Sequence, residues 1–307
     1  MPNDASKRSL NVIVFPGVQN LPHFAAEQQN FYTRRNLQID LTFTHSSLEQ
    51  REGLAKGTYQ IAHAAIDNAV AMVDVAGEDI EIVIGLDMAF NKLVSAPHLR
   101  TYEDLRGKVL GVDAPDTAFA LVAFEMLRRN GLHSGDYEIL PVGATSYRLD
   151  ALKSGKIDFT MLNLPFNLFA KQAGLHFLDD PFQIIGPYQS MGGFINRKWG
   201  ASSETILIDY LSAYIEGVRW VLTPANRKAA TALLSERMSL THDVAALCLE
   251  QICDPVLGFR PDAALDIPGM EKVLSLRANF RGLQDHPPIG KYYGGQFYQR
   301  ALTSLQQ

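Results

Sequence analysis

One feature constrains this chain above all others: short apolar, β-branched runs alternate with stretches of helical spacing, and the whole series occurs twice. Leu10 to Phe15 is the first run and Pro16-Gly17 ends it; further strands are expected at Leu37 to Phe43, Gln60 to Ala64 and Ile80 to Leu86. Between them the spacing predicts helices over Pro22 to Phe31, a helix closing at Leu54 to Gly57, and one over Asn68 to Val75. The second series carries strands at Val109 to Val112, Glu138 to Val142, Ile157 to Leu162 and Gln183 to Ile185. Its helices fall over Ala118 to Asn130, Tyr147 to Ser154 and Pro165 to Ala173. Alternation of this kind predicts α/β architecture in which each half is a mainly parallel sheet flanked by helices. From Ser203 onward only helical spacing remains, over Ile206 to Leu222, Pro224 to Ser235, Thr241 to Ile252, Pro268 to Phe280 and Gly294 to Ser304, expected to cover a lobe already built.

Composition narrows the partners. Of 307 residues 47% are apolar and 20% charged, enough for two cores, and the net charge of -5 comes without a basic block, so nucleic acid is not an expected partner. The longest apolar stretches, Ile61 to Val75 and Ala118 to Met126, are interrupted by His63, Asp67, Asn68 and Glu125, and no membrane insertion is expected. The polar start, Met1 to Leu10, lacks the apolar core of a secretory signal, which points to the cytoplasm, or to the periplasm if the numbering is that of a processed chain. Cys248 and Cys253 fall on different faces of a helix with no metal spacing around them, so no metal and no cofactor is expected.

Four stretches carry a family likeness. Asn20 to Leu37 has the form of an entry helix leading into a second strand, with Asn36 where the family has Gly. Leu54-Ala55-Lys56-Gly57-Thr58-Tyr59-Gln60-Ile61-Ala62 is like the pattern L-x-x-G-x-x-D-x-A, with Gln60 at its Asp position, and Asp104-Leu105-Arg106-Gly107-Lys108-Val109-Leu110-Gly111-Val112 follows D-L-x-G-K-x-x-G-V. Ala151-Leu152-Lys153-Ser154-Gly155-Lys156-Ile157-Asp158 repeats A-L-x-x-G-x-x-D. In order and spacing the chain resembles the type II periplasmic substrate-binding proteins of the SsuA or NMT1/THI5-like family. The resemblance covers about residues 10 to 195. It implies a two-lobed periplasmic-binding-protein-like (type II) fold: residues 1–92 as the first part of lobe I, 93–193 as lobe II, and 194–307 as the return to lobe I with the C-terminal helices. It further implies crossing segments near Asn91 to Ser95 and Gly192 to Asn196, and a monomer that holds a small organic ligand between its lobes for an ABC permease. The cysteine-rich signature of the thiamine-precursor synthases has no counterpart in Cys248 to Cys253.

In open sheets ligands meet the loops at the carboxyl ends of strands. In the first series this nominates Gln19, Asn20 and His23, then His45, Ser46 and Ser47, then Asp67 and Asn68. In the second it nominates Asp113, Asp116 and Thr117, then Thr145, Ser146 and Arg148, then Asn163, and finally Tyr188, Gln189 and Ser190. Asp116 with Thr117, and Thr145 with Ser146, are equally placed to cap the helices that follow them. Tyr188 to Gly193 joins an aromatic, two hydrogen-bonding side chains and two glycines ahead of the return segment.

No Gly-x-Ser-x-Gly elbow, His-Glu-x-x-His, phosphate loop or dinucleotide fingerprint occurs. A second possibility survives, a cytoplasmic decarboxylase or other lyase acting on an aromatic or heterocyclic carboxylate, with His23, His45 and Asp67 as acid–base groups and Arg148 opposite. The sulfinate-cleaving branch of the same fold uses an early cysteine, and here none precedes Cys248.

Overall fold

The computed structural model describes residues 7–87 and 91–306. The polar start before Lys7 lies outside them. The chain divides into two compact units: one holds the residues up to Asp87, Ser190–Asp266 and those from Pro288 on; the other runs to Gln189 and includes Ile267–Pro287.

The first unit opens with β1 (Arg8–Val14), α1 (Leu21–Gln28), β2 (Leu37–Phe43), α2 (Ser47–Ala55), β3 (Ile61–Ala65), α3 (Asp67–Asp74) and β4 (Ile80–Asp87). The second contains β5 (Lys92–Ser95), β6 (Val109–Val112), α4 (Ala118–Arg129), β7 (Glu138–Pro141), α5 (Thr145–Lys153), β8 (Phe159–Leu162), α6 (Phe166–Gln172), β9 (His176–Asp179) and α7 (Pro181–Ile185). The chain then returns through β10 (Met191–Asn196), α8 (Arg197–Ser202), α9 (Glu204–Leu222), α10 (Arg227–Met238), α11 (His242–Ile252), α12 (Ile267–Phe280) and α13 (Gln296–Ser304).

Each unit builds one five-stranded sheet, in the orders β2-β1-β3-β10-β4 and β7-β6-β8-β5-β9. Four strands of each run the same way, and the fourth in order, β10 or β5, runs against both neighbours. The expected α/β, mainly parallel character is therefore present twice, with one reversed strand per sheet. Those reversed strands are the segments expected as crossings at Asn91 to Ser95 and Gly192 to Asn196.

The two units repeat at a constant step of 98 residues. Residues 47 and 55, which bound α2, correspond to 145 and 153, which bound α5. Gly57 and Gly155 both stop their helices in the left-handed region, at φ 74° and 73°. Even the strand entries match: Gln60 Oε1 accepts from the Asn11 amide at 2.9 Å, and Asp158 Oδ2 accepts from the Val109 amide at 2.8 Å.

Two expectations need correction. Gln183 to Ile185 is helical, because Asp180 accepts from the Phe182 amide at 2.9 Å and Pro181 occupies the first helical turn; the strand lies earlier, at β9. Nor do all the late helices cover the first unit. α12 packs on α4 of the second unit, where Phe280 stacks on Phe124 and Arg277 Nη2 donates to the Asp116 carbonyl at 2.8 Å. Among the described residues no helix is long and apolar enough to cross a membrane, and no group of three or more His, Cys, Asp or Glu could hold a metal.

Candidate functional site

The loops at the carboxyl ends of the strands are built differently in the two units. After β1, Asn20 is fully buried and its Nδ2 donates to the Phe15 and Gly17 carbonyls at 2.8 and 3.1 Å. Gln19 Nε2 donates to Phe15 as well, at 3.0 Å, and its amide lies so close over Gly17 that a Cβ there would meet it at 2.1 Å. Both nominated amides thus fasten their own loop, leaving Asn20 Oδ1 buried without a partner among the described residues.

After β2, Ser46 caps α2: its Oγ accepts from the Glu49 amide at 3.2 Å, while Thr44 Oγ1 donates to Glu49 Oε2 at 2.5 Å. Ser46, nominated for ligand contact, is thus also the N-cap of α2. His45 beside it is exposed, and Ser47 is half-buried as the first residue of α2. After β3, Asp67 is buried in the first turn of α3 with Asn68 half-buried next to it, and the Ile66 amide donates to the Ser190 carbonyl at 2.9 Å.

His23 is not on a loop surface. It sits in the third position of α1 with its ring inside the unit, 4.7 Å from His63 and 4.7 Å from Tyr214, and its Nδ1 shares a hydrogen bond with the Tyr32 hydroxyl at 2.9 Å. His63 in turn shares Nε2 with the Tyr210 hydroxyl at 2.8 Å. Burial holds both imidazoles below the usual histidine range, His63 at about 3, so both are neutral at physiological pH. None of the hydrogen bonds or ring contacts of His23 goes to His45 or Asp67. The expected acid–base group is therefore not assembled around His23. His63, Tyr210 and Tyr214 had no sequence signal as a cluster, because α9 supplies two of them from far along the chain.

In the second unit the expected caps do not form. Thr117 turns its hydroxyl back to the Ala114 carbonyl at 2.8 Å, Asp116 is exposed, and neither α4 nor α5 has a side chain on its first amides. Arg148 is only 4% exposed and ties three points together: Nη1 donates to the Gly143 carbonyl at 2.6 Å, and Nη2 to Thr145 Oγ1 and the Met161 carbonyl at 3.0 and 3.2 Å. Gly143, at φ 91°, gives the turn that aims its carbonyl at this guanidinium. Thr145, Ser146 and Asp113 are half-buried around it. Asn163, just after β8, keeps Oδ1 buried and without a partner among the described residues. Tyr188 and Gln189 are buried at the end of this unit, and Ser190 opens the next segment with its amide donating to the Asp87 carbonyl at 3.0 Å. Arg277, which holds the loop through Asp116, had not been singled out in the sequence because it arrives on α12.

An α/β sheet built twice, with one reversed strand in each, is the periplasmic-binding-protein fold, and solved structures share it. The periplasmic nitrate-binding protein NrtA from Synechocystis PCC 6803 superposes with a TM-score of 0.81 at 12% identity, over 97% of this chain and 89% of that one. The alkanesulfonate-binding protein SsuA from Xanthomonas axonopodis pv. citri, bound to MOPS, gives 0.75 at 16% identity over 92% and 96%. A cysteine-to-serine mutant of DszB in complex with biphenyl-2-sulfinic acid gives 0.67 at 12% identity over 96% and 99%. At these identities the likeness is one of fold. The profile of the family described as NMT1/THI5 like matches residues 18–226, and the chain belongs to that family. No match was found among curated proteins.

Proposed function

We propose that this protein is the solute-binding component of an ABC-type uptake system, taking up a small organic ligand at the loops that end its strands. The observation that carries this reading is the loop cluster of the second unit. There, in the loops that follow β6, β7 and β8, α4 and α5 start without side-chain caps, Asn163 Oδ1 has no partner among the described residues, and a buried guanidinium holds the Met161 carbonyl. Such groups recognise a ligand through fixed hydrogen bonds and need no chemistry. Family membership and the binding proteins among the structural neighbours support the same reading, and with it a permease partner and a place in the periplasm.

The lyase alternative draws on the likeness to DszB, but its acid–base group loses His23 to the aromatic interior. Calorimetric titration of a panel of small carboxylates, sulfonates and pyrimidines, followed by recovery of the bound compound, separates the two. Intact ligand is the expected result, with Asn163→Ala weakening binding by about 1 to 3 kcal/mol. A decarboxylated or cleaved product, formed at a rate lost in His45→Ala, would overturn it.

A further inference from the structure

Strand β2 ends the sheet of the first unit, and among the described residues it pairs with β1 alone. Two bonds fix which of its backbone groups that pairing uses: the Arg8 amide donates to the Asn36 carbonyl at 3.0 Å, and the Thr44 amide to the Val14 carbonyl at the same distance. A parallel ladder takes alternate residues, so the even-numbered positions of β2 face β1. The amides and carbonyls of Ile39, Leu41 and Phe43 face outward. With seven residues and three large apolar side chains at its outward positions, this is the kind of edge that natural sheets blunt. Phe43 is 47% exposed, and a cavity of about 600 Å³ lies against the strand between Leu37 and Phe43, so the chain's own described elements do not fill the space beside it.

The repeat shows the same edge closed. In the second unit the Glu138 amide donates to the Lys108 carbonyl and the Val142 amide to the Val112 carbonyl, which puts Tyr137, Ile139 and Pro141 at the outward positions. Only four residues there are strand, Tyr137 is buried against Phe124 and Phe159, and Pro141, at the place of Phe43, has no N–H to offer. What can pair with β2 is restricted by its own sequence. Two antiparallel copies related by a twofold axis join through their outward groups only where odd-numbered residues oppose odd-numbered ones. Centred on Asp40, such a pairing sets two carboxylates side by side. Centred on Leu41, it sets Leu41 against Leu41, Ile39 against Phe43 and Asp40 against Thr42, so apolar meets apolar and each carboxylate meets a hydroxyl. In that register the strand is complementary to itself.

We propose that the open edge of β2 is an interface for a second copy of this chain, joined strand to strand in the register centred on Leu41, so that two five-stranded sheets become one continuous sheet. The test is sedimentation velocity on the full chain over a concentration series. The wild type is expected to pass from monomer to dimer as concentration rises. Phe43→Pro copies the closure that the second unit already carries, and Leu41→Lys sets two ammonium groups against each other on the axis. Both are expected to stay monomeric throughout, with the circular dichroism of the wild type. Leu41→Cys is expected to form a crosslinked dimer on oxidation, because a hydrogen-bonded antiparallel pair holds its Cα atoms about 5.5 Å apart, within disulfide reach. Asp40→Cys, out of register with its own copy, is expected not to crosslink beyond the wild type. A wild type that is monomeric at every concentration overturns the proposal and leaves the edge to an extended segment of some other protein. A dimer that survives both Phe43→Pro and Leu41→Lys overturns it as well, and so does equal crosslinking at positions 40 and 41. If Phe43→Pro does not fold, Leu41→Lys decides alone.

Discussion

His63 shows what a single residue contributes. Its imidazole lies beneath Gly193 of the reversed strand β10, where a Cβ would stand 2.9 Å from the ring and 2.8 Å from Ile84 Cγ2. Gly193→Ala is expected to destabilise the protein by about 1 to 3 kcal/mol through overpacking, measured by urea denaturation. Because burial depresses the folded-state pKa of His63 to about 3 and lowers that of His23 as well, the unfolded chain takes up protons that the folded chain refuses. Their contribution to stability is whole above about pH 6.5 and is lost as the pH falls below it, for His63 by about 1.4 kcal/mol per pH unit toward pH 3. Melting temperatures between about pH 7 and 5 are expected to fall less steeply in His63→Gln than in the wild type; an unchanged slope would refute the assignment. Position 23 illustrates the limit of the sequence at this scale. Its place at a helix start was legible, but the inward turn of its ring depends on Tyr210 and Tyr214, nearly two hundred residues away.

Among the elements, those whose ends are fixed locally were the legible ones. Leu37–Phe43 is a strand with the bounds its apolar pattern gives, and α4 begins at Ala118 as expected. Where side chains near a helix start had a choice, pattern could not decide. Ser46 caps α2 and Thr117 does not cap α4, because the Thr117 hydroxyl finds the nearer Ala114 carbonyl. Ser46→Ala is accordingly expected to cost about 1 kcal/mol of stability with no change in ligand affinity, whereas Thr117→Val should leave α4 as helical as before, checked by circular dichroism and calorimetry. The α1 and α9 pair depends on one small residue: at Gly217 a Cβ would meet the Pro22 carbonyl at 2.3 Å. Gly217→Ala is expected to cost more than the roughly 1 kcal/mol that the same change gains in an unconstrained helix, seen as a lowered denaturation midpoint.

At the level of the whole chain, the doubled architecture was readable because periodicity and loop signals repeat, while the membership of α12 was not, since an amphipathic helix does not say which sheet it covers. The second unit takes α12 through Arg277 and Phe280. A fragment of residues 91–189 alone is therefore expected to remain largely unfolded, and addition of a peptide spanning 267–287 to restore helical circular dichroism. A fragment that folds without the peptide would contradict this.

Connectivity also fixes how the protein yields to force. Both ends of the described chain, at Lys7 and beyond α13, belong to the first unit, and the second is spliced into it at two places. Tension applied from end to end runs through β1 and α13 and cannot reach β6 or α5 until the first unit has torn open. An unfoldase that grips either terminus meets the aromatic interior around His63 first, while the loop cluster around Arg148 stays mechanically shielded to the end.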